Sequence, residues 1–157
     1  MTPKIGDKAP TFELKTLKSG RLIDVHIAEE IGKQQIVLLF FPFAFTSVCT
    51  KEMCDVSGAL SEYESLDAVV YGISVDSPFA HEAFAKANHI SITLLSDFNR
   101  EVSTLYGVLF KELLGLKGVS KRAAFVIGLD GNILYAESSD DPTRLPDFAR
   151  INESLRS

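Results

Sequence analysis

The amino-acid sequence predicts an α/β fold in which a mixed central sheet is flanked by helices. Two observations carry this prediction. Strand-like apolar segments alternate with amphipathic helical segments from residue 35 to about residue 106, and Asp130-Gly131 separates two later strand-like segments. Alternating strands and helices call for a parallel sheet covered by helices. Asp-Gly between strands is a hairpin signal that adds an antiparallel pair, so the sheet should be mixed.

The N-terminal segments lead up to the central strand. Strand candidates at residues 12–14 and 21–24 are separated by Lys18-Ser19-Gly20, which predicts an N-terminal β-hairpin extension. Residues 35–41 form a continuous run of branched and aromatic side chains, which is typical of a buried central strand. Pro42 ends this strand, because proline has no N–H for the sheet ladder.

Helices and strands then alternate. A helix is predicted from Ser47 to about Glu64, with Thr46 or Ser47 as its N-cap, and an apolar strand follows at residues 68–75. Ser77-Pro78 begins the next helix, since serine caps well and proline suits the first helical position. The side chains expected to form the buried stripe of that helix are Phe79, Ala83, Phe84 and Ala87.

The remaining segments complete a thioredoxin-like order of elements. A short strand is predicted at residues 92–95, a helix ended by Gly107 at residues 98–106, and an extended loop with some turn at residues 108–121. The two hairpin strands are predicted at residues 123–129 and 133–137, and a last helix at residues 146–155. Because no repeat or break in composition divides the chain, residues 1–157 are expected to form one domain.

Composition and charge exclude several classes of function. Sixteen basic against 21 acidic residues give a net charge of −5 without a basic cluster, so nucleic acid is not an expected partner. No apolar run is long enough to cross a membrane and no signal region follows the N-terminus, so a cytoplasmic protein is expected. His26, His81 and His89 lack the spacing of zinc ligands, and all three are expected to be surface or packing residues in a protein without a metal.

The stretch from Phe40 to Cys49 contains the candidate site. It places a loop and a helix start directly after a buried strand, and sites in open α/β sheets lie at the carboxyl ends of strands. With Thr46 as N-cap, Cys49 lies in the first helical turn, where the helix dipole favours the nucleophilic thiolate. From position alone, Cys49 is equally a buried helix cysteine. Thr46 either only caps the helix or also reaches the sulfur, and Pro42 either only ends the strand or also shields the sulfur from water.

These residues form a recognisable motif. Pro42-x-x-x-Thr46-x-x-Cys49 resembles the active-site signature of the peroxiredoxins, P-x-x-x-T/S-x-x-C, and the likeness extends over residues 5–137. Arg122 occupies the place of the active-site arginine of that family. Residues 42–46 resemble the alkyl hydroperoxide reductase E branch, whereas Cys54 resembles the resolving cysteine of the bacterioferritin-comigratory-protein branch.

The resemblance implies a thiol-dependent peroxidase that needs no cofactor, because the sulfur of Cys49 carries the redox chemistry. Its thiolate would attack hydrogen peroxide or an organic hydroperoxide, expel water or an alcohol, and become a sulfenic acid. Thr46, Arg122 and the backbone N–H groups of Val48 and Cys49 would stabilise the charge that moves onto the leaving oxygen. Glu52 either orients Arg122 or compensates the helix dipole.

The recycling step leaves alternatives open. Residues five apart in an α-helix have Cα atoms about 8.6 Å apart, beyond the roughly 7 Å that a disulfide tolerates. The hypothesis is therefore that oxidation of Cys49 triggers local unwinding, that Cys54 then closes a disulfide, and that a thioredoxin-like donor reduces it. The alternatives are a one-cysteine peroxidase recycled by an external thiol, with Cys54 as a small apolar helix residue, a thiol–disulfide oxidoreductase, and a non-enzymatic binding module. A homodimer packed near the active-site loops is expected.

Overall fold

The computed structural model of the chain describes residues 2–156, which form a seven-stranded sheet, a two-stranded hairpin and five α-helices. In chain order the strands are β1 (Glu13–Lys18), β2 (Arg21–His26), β3 (Gln35–Phe40), β4 (Ala68–Ser74), β5 (Thr93–Ser96), β6 (Leu109–Leu113), β7 (Leu116–Ser120), β8 (Arg122–Ile127) and β9 (Ile133–Ser139). The helices are α1 (Ser47–Gly58), α2 (Leu60–Ser65), α3 (Pro78–Asn88), α4 (Glu101–Leu105) and α5 (Phe148–Arg156), with a 3-10 turn at Ile27–Glu29.

The large sheet is mixed, and its strand order is β2-β1-β5-β4-β3-β8-β9. Strands β3, β4 and β5 are parallel, and their connections run through α1 with α2 and through α3. Parallel neighbours need such crossovers, whereas β1 with β2 and β8 with β9 are joined directly as antiparallel hairpins. The predicted mixed sheet of a thioredoxin-like fold and its N-terminal hairpin are confirmed.

Strand β3 lies at the centre of the sheet and has apolar side chains on both faces. Val37 and Leu39 face the layer formed by α1, α2, α3 and α5. Ile36, Leu38 and Phe40 face the opposite layer, which contains α4 and the 3-10 turn. Because successive side chains of a strand point to opposite faces, a strand covered on both sides is apolar throughout. This explains the continuous apolar run in the sequence.

The predicted long helix is divided into two. Helix α1 ends at Gly58 and α2 begins at Leu60, because Ala59 between them has a non-helical backbone with φ −102° and ψ 9°. Glycine is the weakest ordinary helix former, so a break beside Gly58 has a local cause. Helix α4 is likewise shorter than predicted, since the Asp97 carboxylate binds the backbone N–H groups of Val102 and Ser103 and fixes the start of the helix.

The prediction of an extended loop at residues 108–121 is wrong, because this segment is the hairpin of β6 and β7. Leu113 pairs with Leu116, so Leu114-Gly115 forms a two-residue turn with φ values of 55° and 78°. Positive φ at both positions is the geometry that suits a hairpin twist. Leucine is unusual at the first position of such a turn, so the sequence carried no clear signal for it.

The predicted buried stripe of α3 is also partly wrong. Phe84 is fully buried, but Ala83 and Ala87 are exposed and Phe79 is 63% exposed. The buried side of the helix instead contains His81, whose ring lies 6.1 Å from that of Phe41. The expectation that His81 is a packing residue agrees with this position.

Candidate active site

The candidate site lies where the central strand gives way to α1. Residues 41–46, which we call the active-site loop, connect β3 to α1, and Thr46 is the N-cap of the helix as predicted. Pro42 is buried, and Cys49 is the third residue of α1 with 1% of its surface exposed. The sulfur therefore lies in the first helical turn and is closed off from solvent.

Arg122 reaches Cys49 from across the sheet. Strand β8 pairs antiparallel with β3, and Ala123 lies opposite Phe40, the last residue of β3. Arg122 therefore stands one position beyond the end of β3, at the edge where the active-site loop begins. Its Nη2 donates to Cys49 Sγ at 2.9 Å, although 73 residues separate the two in the chain.

The other nitrogens of the same guanidinium hold it in place. Arg122 Nη1 donates to Glu52 Oε1 at 2.6 Å, and Nε donates to the backbone carbonyl of Pro142 at 2.9 Å. The planar fork of arginine makes three such bonds possible at once. The structure thus brings together Cys49, Glu52 and Arg122, and Glu52 binds the arginine rather than facing solvent at the helix surface.

The charges of this group are buried, so they interact with little screening. Arg122 is 3% exposed and Glu52 is fully buried. Burial raises the pKa of Glu52 to about 7, while the positive charge of Arg122 opposes this rise. Glu52 Oε2 has no hydrogen-bond partner within residues 2–156. The guanidinium also places a positive charge directly beside the sulfur of Cys49.

Thr46 takes a different position from the predicted one. Its hydroxyl donates to the carbonyl of Phe43 at 2.9 Å, and in the described chain its side chain makes no capping hydrogen bond. Its backbone carbonyl accepts bonds from the N–H and the hydroxyl of Thr50. The Thr46 side chain is exposed at the rim of the site rather than bound to the sulfur.

Cys54 is not brought to Cys49. Helix α1 is intact across both positions, and both cysteines are free in the part of the chain that the structure describes. Cys54 is half-buried, and its thiol lies 3.5 Å from the carbonyl of Asn88, the last residue of α3. An intact α1 therefore does not allow a disulfide between the two sulfurs.

Two contacts of the site were missed by the sequence analysis. The carboxylate of Asp76 accepts the backbone N–H of Ala44 at 2.8 Å and so holds the active-site loop. Asp76 follows β4, the parallel neighbour of β3, and the rule that sites lie at the carboxyl ends of strands offered a signal for it. The carbonyl of Pro142 is a backbone group, for which the sequence contains no signal.

Residues 2–156 contain neither a cluster of metal-ligating side chains nor a membrane-spanning helix. No group of three His, Cys, Asp or Glu side chains in this range is arranged to hold a metal ion. None of the helices described is long and apolar enough to cross a membrane.

The family of the chain follows from comparison with known proteins. The model of the AhpC/TSA family matches residues 5–136, a range that contains Pro42, Thr46, Cys49 and Arg122. The chain belongs to the AhpC/TSA family. The resemblance to peroxiredoxins stated from the sequence is thereby confirmed.

Relatives of this AhpC/TSA-family chain include plant and animal proteins. It is 33% identical over 141 residues to the chloroplastic 2-Cys peroxiredoxin BAS1 of Spinacia oleracea, and the match covers 85% of this chain and 52% of that protein. It is 31% identical over 162 residues to the mitochondrial thioredoxin-dependent peroxide reductase of Mus musculus, covering 99% of this chain and 60% of that protein. The chain thus spans about half the length of the plant relative.

Solved structures of the family share its fold. The reduced 2-Cys peroxiredoxin of Plasmodium vivax has a TM-score of 0.87 at 28% identity, covering 97% of this chain and 80% of that one. The peroxidoxin BcpB of Mycobacterium tuberculosis has a TM-score of 0.83 at 30% identity, covering 98% of this chain and 97% of that one. The AhpC/TSA chain described here is therefore similar in length to BcpB.

Proposed function

We propose that this protein is a thiol peroxidase that reduces hydrogen peroxide and organic hydroperoxides, with Cys49 as the nucleophile. The observation that carries the proposal is the 2.9 Å hydrogen bond from Arg122 Nη2 to Cys49 Sγ in a site closed to solvent. A permanent positive charge at that distance favours the reactive thiolate. The names of the spinach and mouse relatives, a 2-Cys peroxiredoxin and a thioredoxin-dependent peroxide reductase, support the same reaction.

The first step transfers one oxygen atom to sulfur. The Cys49 thiolate attacks the terminal oxygen of the hydroperoxide, an S–O bond forms as the O–O bond breaks, and the product on the protein is a sulfenic acid. The sulfur is oxidised by two electrons, and the leaving oxygen takes up a proton and departs as water or an alcohol. Negative charge moves from sulfur to that oxygen, and donors already aimed at both atoms stabilise the transition state.

We assign the neighbouring residues roles in this step. The guanidinium of Arg122 contacts the sulfur and stabilises the negative charge that develops in the transition state. Glu52 keeps this guanidinium in place through its 2.6 Å hydrogen bond. The hydroxyl of Thr46 exchanges the Phe43 carbonyl for a peroxide oxygen, a change that requires only rotation of an exposed side chain. Pro42, buried at the start of the active-site loop, keeps water from the thiolate.

Intact-protein mass after one equivalent of hydrogen peroxide, without reductant, tests the proposal. The wild-type protein should rapidly gain one oxygen or lose two hydrogens. Cys49→Ser should show neither change on that timescale, and Cys54→Ser, the matched control, should still gain an oxygen. An unreactive wild-type protein, or a Cys49→Ser variant oxidised at the wild-type rate, would exclude Cys49 as the peroxidatic residue and favour a binding module.

For recycling, we propose that Cys54 attacks the sulfenic acid of Cys49 after α1 unwinds locally. Cys54 is half-buried with its thiol 3.5 Å from the carbonyl of Asn88, and α1 ends four residues later at Gly58, so only a short segment has to open. Attack forms the disulfide and releases water. With Cys54→Ser, oxidation should stop at a sulfenic acid and thioredoxin-dependent turnover should collapse. Unchanged turnover would instead assign a one-cysteine mechanism with an external thiol.

A thioredoxin-like dithiol is the proposed electron donor. The mouse relative is named thioredoxin-dependent, and a dithiol can reduce a protein disulfide by exchange. Thioredoxin-coupled consumption of reductant in the presence of peroxide measures this directly. Efficient reduction of insulin disulfides without peroxide turnover would favour the alternative of a thiol–disulfide oxidoreductase.

We also propose a homodimer that packs near the active-site loop, in the cytoplasm. Phe79 and Phe98 are 63% and 58% exposed, and with Leu22 and Pro78 they line a groove of 420 Å³. Covering these aromatic side chains with a second copy would remove exposed apolar surface from water. Sedimentation should give a dimer that Phe79→Ser weakens, and cell fractionation tests the location. A monomer at all concentrations would contradict the dimer.

A further inference from the structure

A chain of hydrogen bonds links helix α3 to the active-site loop. His81 Nε2 lies 2.6 Å from Ser74 Oγ, and Ser74 Oγ lies 2.6 Å from Asp76 Oδ2. The same Asp76 oxygen accepts the backbone N–H of Ala44 at 2.8 Å. Asp76 therefore ties the middle of the loop to the carboxyl end of β4 and, through Ser74, to α3.

The hydrogen atoms in this chain have one consistent arrangement. The Ser74 hydroxyl donates to Asp76 Oδ2, and a hydroxyl has only one hydrogen to donate. His81 must then donate its Nε2–H to Ser74 Oγ, which also accepts the backbone N–H of Asp76 at 3.3 Å. Neutral His81 keeps a bare Nδ1, and that atom has no hydrogen-bond partner among residues 2–156. The side-chain hydrogens of His81 and Ser74 and the backbone N–H of Ala44 thus all point toward the Asp76 carboxylate.

The loop that Asp76 holds contains a disfavoured backbone conformation. Phe45 has a φ of 68°, in the left-handed region that side chains disfavour. Such conformations persist where the surroundings fix them from several sides. Ala44 is held by Asp76 on one side, the Phe45 ring packs 5.1 Å from that of Phe84, and Thr46 bonds the Phe43 carbonyl on the other side.

We propose that Asp76, oriented by Ser74 and His81, is a positioning residue that fixes the active-site loop for attack by Cys49. Since Thr46 is the N-cap of α1, the backbone angles of residues 44 and 45 set where the Thr46 hydroxyl lies relative to the first helical turn. Asp76 acts on the backbone N–H of Ala44 and not on the sulfur. The inference rests on the proposed peroxidase function and adds residues that hold its site in shape.

Two reactions of the same cysteine test this role. In Asp76→Ala, the rate of Cys49 oxidation by hydrogen peroxide should fall about 10- to 100-fold, the effect of losing a hydrogen bond to a charged group. The rate is measured by quenching with an alkylating reagent followed by intact-protein mass. Alkylation of Cys49 by iodoacetamide should not slow, because it depends on the thiolate and its access rather than on the loop donors. Asp76→Asn, which keeps an acceptor oxygen, should recover most of the peroxide rate, and Glu82→Ala on α3 is the matched control.

Variants at His81 keep the test decisive if Asp76→Ala does not fold. His81→Gln can present an N–H where Nε2 lies and should oxidise within about twofold of wild type, whereas His81→Leu removes the donor and should be about tenfold slower. Equal rates in the two variants, or a wild-type rate in folded Asp76→Ala, would overturn the inference alone. A wild-type protein that does not react with peroxide would overturn the proposed function, and the inference with it.

Discussion

Replacing Arg122 by methionine removes three hydrogen bonds at once and leaves a buried carboxylate without its partner. The guanidinium contacts Cys49 Sγ, Glu52 Oε1 and the Pro142 carbonyl, at 2.9, 2.6 and 2.9 Å. Arg122 and Glu52 are both buried, so solvent cannot replace the lost charge. Removing one member of such a pair destabilises a protein by about 3–5 kcal/mol, the decrease expected in the free energy of unfolding.

The rate of Cys49 oxidation should fall for a separate reason. A hydrogen bond to a charged group contributes roughly 1.5–3 kcal/mol. If the Arg122–Cys49 bond supports the thiolate and the transition state, its loss should lower the rate constant about 10- to 100-fold. Stability is measured by urea unfolding, and oxidation by quenching with an alkylating reagent followed by intact mass.

The double variant Arg122→Met with Glu52→Gln separates the two effects. It removes the uncompensated carboxylate, so stability should return to within about 1 kcal/mol of wild type, while oxidation should stay slow because the cation is still missing. Glu52→Gln alone keeps Arg122 and is the control. Wild-type oxidation in the double variant would refute the reasoning, because Arg122 would then act only through the stability of the fold.

The stability loss in Arg122→Met should also depend on pH. Burial already raises the pKa of Glu52 from 4.5 to about 7, so in the folded state ionisation of this group is disfavoured. Glu52 therefore contributes to the stability of the folded protein below pH 4.5, and this contribution is lost as pH rises through 7. Without Arg122 the pKa rises further, so the difference from wild type should be small at pH 5 and largest above pH 7.

Three further changes have definite expected outcomes. Burial lowers the pKa of His81 from 6.5 to about 4, so as pH falls the unfolded chain takes up a proton before the folded protein does. The free energy of unfolding should therefore fall by up to about 3 kcal/mol from pH 6.5 to 4. Urea unfolding at several pH values should show a weaker pH dependence of this free energy in His81→Gln, and an identical dependence would contradict the prediction. A Cβ on Gly72 would lie 2.8 Å from Leu94 Cδ2 and 2.9 Å from Met53 Sδ. Gly72→Ala should therefore lower the free energy of unfolding by about 1–3 kcal/mol and lower Tm. An unchanged Tm would show that the core can rearrange around the new methyl group. Leu114 is 86% exposed at a φ of 55°, so Leu114→Asn should raise stability by about 0.5–1 kcal/mol, and a lower Tm would mean that this leucine packs against something.

Much of the fold was predictable from local features of the sequence. The apolar run at residues 35–41 contains β3, the run at residues 68–75 contains β4, and Asp130-Gly131 lies in the connection between β8 and β9. These features depend on residues that are close together in the chain: burial on both faces makes a strand continuously apolar, and a tight turn demands particular residues. The hairpin at Leu114-Gly115 was missed because its first turn residue, leucine, is not one that such turns usually demand.

The candidate site was only partly predictable. Cys49 at a helix start and Thr46 as its N-cap follow from neighbouring residues, whereas Arg122 was identified by resemblance to a family and not by any local pattern. Its contact with Cys49 depends on the register of β8 against β3. The bond between Asp76 and Ala44 likewise depends on the parallel pairing of β4 with β3.

Local patterns in the sequence therefore indicated most of the strands and helices and the position of Cys49 at a helix start, and the motif around Cys49 indicated the family. The tertiary structure alone decided which distant groups surround the sulfur, that Thr46 turns to Phe43, that Cys54 contacts Asn88, and that Phe79 is left exposed. The physical reason is that secondary-structure signals act over a few residues. A site, in contrast, is formed by side chains that strand order and helix packing bring together from across the chain.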